Sequence, residues 1–231
     1  LFPYTTLFRS VVVFRGNMGG LAAKRRYHVR DLNRVWSEKN VAALEGKPRD
    51  GLDPEEREQL ELLEAIRAVI ARARGQVYLV DLHTTSAAGV PFVIFGDTLP
   101  QRRFVRALPL PLVIGLEEQV DGVLAEYWTR QGCVTFTVEG GQHDDPSSAD
   151  NLEAAFMLAV EAAGIVERGA VDTKPDHDLL EHRRGRLPKV MEVVEINGRN
   201  RSAENRLKHV RWKFLHAPVQ SFQSLFHWHL L

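Results

Sequence analysis

Asp53 to Leu82, "DPEEREQLELLEAIRAVIARARGQVYLVDL", decides the fold class. Asp53 can cap a helix, Pro54 suits its first position, and Glu56 stands three residues after the cap, where its carboxylate can reach back. Leu62, Leu63, Ile66, Val69 and Ile70 then recur at helical spacing and predict an apolar stripe facing a core. Gly75 closes that helix and "VYLVDL" follows as a strand. Upstream, "VVVFR" (Val11 to Arg15) is a β-branched run stopped at Gly16-Asn17, which predicts a buried strand. Strand, helix, strand is a crossover unit, so the chain is expected to be α/β with a mostly parallel sheet flanked by helices.

The same grammar continues downstream. "PFVIFG" (Pro91 to Gly96) and "CVTFTV" (Cys133 to Val138) predict strands, and Leu116 to Gln131 and Ser147 to Gly164 predict helices. Thr173 to Pro188 is charged and turn-rich, and "KVMEVVEI" (Lys189 to Ile196) is one more strand. This divides the chain into a catalytic-type domain over 11–170, a linker over 171–187, and residues 188–231 as the start of a small β-rich domain followed by a poorly ordered tail. Residues 1–10, "LFPYTTLFRS", are expected to be foreign to the fold.

Three apolar strands deliver polar groups to their carboxyl ends, where open α/β sheets place their sites. After "VVVFR" come Arg26, Asn33 and Arg34; "VYLV" runs into Asp81 and His83; "TVEGGQH" carries Glu139. His83 can be a metal ligand or catalytic base, although taken alone a strand that surfaces and turns is the stronger reading. Glu139 lies between Val138 and two glycines. A carboxylate at a dry strand end has a raised pKa, which suits a general base. Arginine forks match carboxylates bidentately, and Asn33 with Arg34 can form such a clamp. An arginine can also stabilise an oxyanion.

Composition narrows the partners. The 231 residues hold 30 basic and 30 acidic side chains, so no global field favours nucleic acid or membrane. A single cysteine, Cys133, excludes an internal disulfide framework and fits a reducing, cytoplasmic setting. No apolar run approaches the ~20 residues of a membrane span. The basic run Arg199 to Lys213 is read as solvated rather than as a nucleic-acid site.

"GNMGGLAAKRRYHVRDLNRVW", "VDLHTT" and "VEGGQH" together resemble the aspartoacylase/succinylglutamate desuccinylase family, zinc-dependent amidohydrolases related in fold to the zinc carboxypeptidases. Family members carry "GNPxA…RRY…DLNR", then "D-x-H-x-T", then "E-x-G", and the resemblance covers roughly Val11 to Gly164. It implies a zinc carboxypeptidase-like sheet and a Zn²⁺ cofactor with His83 as one of three ligands, oriented by Asp81. It also implies Glu139 as the base acting on zinc-bound water, Arg26 polarising the scissile carbonyl, and Asn33 with Arg34 holding the free carboxylate. The implied substrate is a small N-acyl amino acid or similar carboxylate.

The chain departs from the family in one place that matters to chemistry. The family's other two zinc ligands lie in an upstream "H-G-x-E" motif that is absent here, and "LFPYTTLFRS" contains no His, Asp, Glu or Cys. His28, His143 and the His177/Glu181 pair are the available substitutes, with His143 nearest in sequence to Glu139. The rival reading is a catalytically inactive carboxylate-binding module, or a fragment lacking two ligands.

Overall fold

The computed structural model describes residues 9–197 and 209–214. Helices α1 (Met18–Ala22), α2 (Glu38–Glu45) and α3 (Pro54–Arg72) precede the first strand, β1 (Tyr78–Thr85). Then follow β2 (Phe92–Ile94), α4 (Leu99–Val105), β3 (Leu112–Ile114), α5 (Leu124–Arg130), β4 (Val134–Gln142), α6 (Ser147–Ala162), α7 (Lys174–Arg184), β5 (Val190–Asn197) and β6 (His209–Phe214). The strands form one sheet in the order β1-β4-β2-β3-β5-β6. Pairs β1/β4, β2/β3 and β3/β5 are parallel, whereas β2/β4 and β5/β6 are antiparallel. This is the mixed, mostly parallel α/β sheet expected of the zinc carboxypeptidase-like fold.

The capping box that marked the start of α3 forms in full: Asp53 accepts from the Glu56 amide at 2.8 Å, and Glu56 accepts from the Asp53 amide at 3.3 Å. The helix ends at Arg72, where Ala73 turns extended, short of the expected stop at Gly75. Two apolar layers cover the sheet. On one face Phe136, Val138, Phe104, Leu108, Leu158 and Leu180 are buried together. On the other, Leu63 and Ile66 of α3 pack with Leu32, Trp36, Tyr127 and Trp128. The alternating sides of a strand explain the split, since Phe136 and Val138 share a face that Thr135, Thr137 and Glu139 do not.

Several expectations from the sequence are corrected here. "VVVFR" joins no strand among the described residues, and Val11 to Phe14 are exposed, Val13 by 80%. β-branched residues favour extended backbone, yet a strand also needs a ladder partner, and none pairs with this run. Leu116 to Gln131 is not one helix. Gly122 adopts φ +77° and breaks it, and the position takes glycine because a Cβ there would collide with the Arg34 carbonyl oxygen. Trp36 N–H donates to the Gly122 carbonyl at 3.0 Å, so this break brings the Arg34 loop against the start of α5. The stretch read as a linker, 171–187, contains α7, with Pro175 in its first turn and Leu180 fully buried on the α6 side of the core. Its charged residues masked two adjacent apolar anchors, Leu179 and Leu180. "KVMEVVEI" does form β5, which pairs with β3 and extends the main sheet. "HVRWKF" forms β6 where no strand pattern was read. Residues 1–8, 198–208 and 215–231, which carry most of the foreign-start and tail expectations, lie outside the described residues.

Lys189 at the foot of β5 gives a pH signature. Its half-buried ammonium donates to the Leu108 carbonyl, and burial holds its pKa down at about 8, with Arg184 adding to the effect and Glu181 opposing it. Below that value both folded and unfolded chains carry the charge, so the full burial cost applies. Above it the folded chain sheds the proton while the unfolded chain keeps it up to its ordinary value of 10.5. Stability contributed by this residue therefore rises with pH through that window. Urea denaturation at several pH values should show the native chain gaining on Lys189→Met between about pH 8 and 10; a constant difference would refute the assignment.

Candidate active site at the mouth of β1 and β4

The carboxyl ends of β1 and β4 bring the two principal residues together through register. His83 and Glu139 are direct Cα partners on adjacent parallel strands, and the ladder slips immediately afterwards, between His83 and Thr85. Partners in register present side chains to the same face. That face carries the Arg-rich loop.

The loop owes its shape to acids of α3 that the sequence offered only as helix-start charges. Buried Glu55 accepts from the amides of His28 at 2.6 Å and Val29 at 3.2 Å. Arg30 bridges Asp53 at 2.5 Å and Glu56 at 3.1 Å. Asp31 then caps the 3₁₀ turn Leu32–Arg34 with one oxygen, on Asn33 N–H at 2.9 Å. Its other oxygen takes Arg26, from Nε at 3.0 Å and Nη2 at 2.5 Å. The Asn33 amide oxygen accepts from the Leu124 N–H at 2.8 Å, which ties the turn to α5.

The expected site residues thus fall into two groups. Arg26 is committed to Asp31, and Asn33 spends its carbonyl on α5. Arg34, half-buried, donates from Nη1 to the Asn33 backbone carbonyl at 2.6 Å and closes no ion pair among the described residues. Burial lowers its pKa, Asp31 and Glu139 push it up, and Arg26 pushes it down. A guanidinium in that position lacks an anion of its own.

Glu139 is 7% exposed, and its Oε2 has no hydrogen-bond partner among the described residues. Burial raises its pKa to about 7, Asp81 pushes the same way, and His83, Arg26 and Arg34 oppose. His83 lies 2.8 Å from Asp81 Oδ2 through Nε2, with 32% of its side chain exposed. Burial acts to lower the His83 pKa, but the charge and hydrogen bond of Asp81, with help from Glu139, raise it to about 9. Acid, base and two guanidiniums therefore share one electrostatic neighbourhood.

Glu139 is held in place from behind. Gly140 abuts α6 so closely that a Cβ would come within 2.5 Å of Leu152 Cγ and 2.8 Å of the Ser148 carbonyl oxygen. Asn151, 2% exposed, donates from Nδ2 to the Gly140 carbonyl at 2.8 Å and accepts from Arg183 of α7 at 3.2 Å. Ser148 donates to the Gln142 carbonyl at 2.7 Å. Asn151 carried no motif, and only its place one helical turn into α6 could have suggested it. Asn151→Leu leaves the Gly140 carbonyl without this donor and should cost about 1–3 kcal/mol in chemical denaturation. A cost near zero would remove the brace.

A catalytic zinc needs three protein donors. His83 suits one, since Asp81 fixes the ring through Nε2 and leaves Nδ1 as the other donor atom. Among the described residues, however, no three His, Cys, Asp or Glu side chains converge to hold a metal ion. His143 does not fill the gap: its Nδ1 lies 2.7 Å from Thr84 Oγ1 and its amide donates to the Thr85 carbonyl. His177 and Glu181 lie on exposed α7, 3.9 Å from each other. The described donor set does not fit zinc.

Comparison with known proteins gives a consistent fold. The family profile described as "Succinylglutamate desuccinylase/Aspartoacylase catalytic domain" matches residues 2–162. The chain resembles the crystal structure of the succinylglutamate desuccinylase from Chromobacterium violaceum at TM-score 0.52 and 16% identity, covering 78% of this chain and 54% of that one. It resembles that of the succinylglutamate desuccinylase/aspartoacylase from Rhodobacter sphaeroides at TM-score 0.52 and 18% identity, covering 78% and 50%. The chain therefore spans about half the length of these solved relatives. No curated protein matches it. Among the described residues no helix is long and apolar enough to cross a membrane.

Proposed function

The chain belongs to the succinylglutamate desuccinylase/aspartoacylase family, and from that premise we propose that it binds a small N-acylated amino acid by its free carboxylate and serves in hydrolysis of the amide bond. The observation that supports this most is the pairing of His83 with Glu139 at strand ends where the charges of Arg26 and Arg34 both act on the glutamate. Arg34, with no anion of its own, supplies the carboxylate anchor, and Asn33 keeps an amide N–H group beside it. Arg26, oriented by Asp31, faces the acyl carbonyl and steadies the negative charge that develops on its oxygen. Glu139, at a pKa of about 7, accepts a proton from the attacking water and returns it to the leaving amine at neutral pH. The dry strand end supports that role, since an exposed carboxylate would be too weak a base.

The missing zinc donors favour a second reading, in which the chain by itself binds such acids without turning them over. One experiment serves both. Calorimetry on a panel of N-acyl amino acids and their C-terminal amides should show binding of the acids alone, and equal binding of the amides would refute carboxylate recognition. Release of free amine from the bound acids marks the hydrolase; binding without release marks the second reading.

A further inference from the structure

We infer that this chain on its own holds no zinc ion at the β1–β4 mouth. The inference rests on the proposed reading only for the choice of metal, and on the donors for everything else. Among the described residues no three candidate ligands converge. Asp81, the carboxylate nearest His83, is occupied by the imidazole Nε2 at 2.8 Å. Glu139, the register partner of His83 on β4, is buried and is a second candidate donor, which still leaves the set one short. The stretch ahead of Asp81 offers no thiol and one imidazole, His28, whose backbone is fastened to Glu55 at 2.6 Å and whose ring packs beside Gly19. One imidazole cannot replace the water shell of Zn²⁺, because bound zinc completes a tetrahedral set of strong donors.

The consequence is a division of labour within the site. On the proposed reading this polypeptide brings the carboxylate anchor, the polarising cation and the base, while the metal chemistry of its family requires donors that its described residues do not assemble. Zinc should then be no stoichiometric component of the β1–β4 mouth.

The test uses the full chain, incubated with excess zinc sulfate, desalted, and measured for metal by mass spectrometry, with thermal melts in zinc and in EDTA. His83→Ala and His83→Asn are run alongside, each checked for a native-like melt. Expected is much less than one zinc per chain and no shift of the melting point. Equal zinc in the native chain and both variants places any metal elsewhere and also supports the inference. About one zinc per chain, lost in either His83 variant and protecting against melting, overturns it. The calorimetric panel separates this result from the functional reading. Acid binding without zinc leaves both standing, zinc with acid binding overturns only the inference, and neither zinc nor acid binding overturns only the functional reading.

Discussion

Replacing Arg34 by leucine should weaken binding of an N-acyl amino acid by roughly 30-fold to several thousand-fold, about 2–5 kcal/mol, while leaving the free chain as stable as before or more so. The opposite signs are what make the prediction diagnostic. Arg34 is half-buried, its charge is disfavoured by burial, and its hydrogen bond goes to the neighbouring Asn33 carbonyl rather than to an acid. Burying a cation without an ion-pair partner costs stability, so a shorter apolar side chain removes that cost. The carboxylate of a ligand is the natural counter-charge, and its loss removes a desolvated charge pair. Arg26→Leu should behave differently, because Arg26 already satisfies Asp31, and its removal leaves the Asp31 oxygen that holds it unpaired. Calorimetry gives the binding term and urea denaturation the stability term. If Arg34→Leu destabilised the chain and left affinity unchanged, Arg34 would be a structural residue and the anchor would lie elsewhere.

How much of this was legible in the sequence depends on the range of the interactions. The cap and stripe of α3 are local, and Asp53, Glu56, Leu63 and Ile66 behave as their spacing requires. His83 and Glu139 were legible as strand ends, and their pairing follows once β1 and β4 are neighbours. Their neighbourhood was not. Glu55 buries itself to hold two backbone amides of a loop 26 and 27 residues away, which no periodicity encodes. Asn33 looked like a ligand clamp, but its oxygen is used 91 residues on, at the start of α5. α7 went unread because two leucines among many charges carry a weak pattern, although Leu180 is fully buried. In each case the missing term was a tertiary partner, which overrides local propensity.

The clearest contrast lies between two apolar positions on segments that the sequence made look alike. Phe136 of β4 is fully buried, in edge contact with Phe104 at a centroid distance of 4.9 Å and within the layer formed with α4 and α6. Phe136→Ala should cost about 3–5 kcal/mol, because it removes transfer energy and leaves a cavity that the packed layer cannot collapse into. Against a total of about 5–15 kcal/mol for a domain, that is enough to populate the unfolded chain. Val12, in a run at least as β-prone by composition, is 46% exposed and pairs with no strand among the described residues. Val12→Ala should therefore stay within about 0.5 kcal/mol. Had "VVVFR" been a buried strand, the same change would have emptied part of the core and cost well above that. Denaturation of the two variants measures both terms. A large loss at Val12 would mean that the run is buried after all, and a small one at Phe136 would mean that β4, and with it the seat of Glu139, is not packed as described.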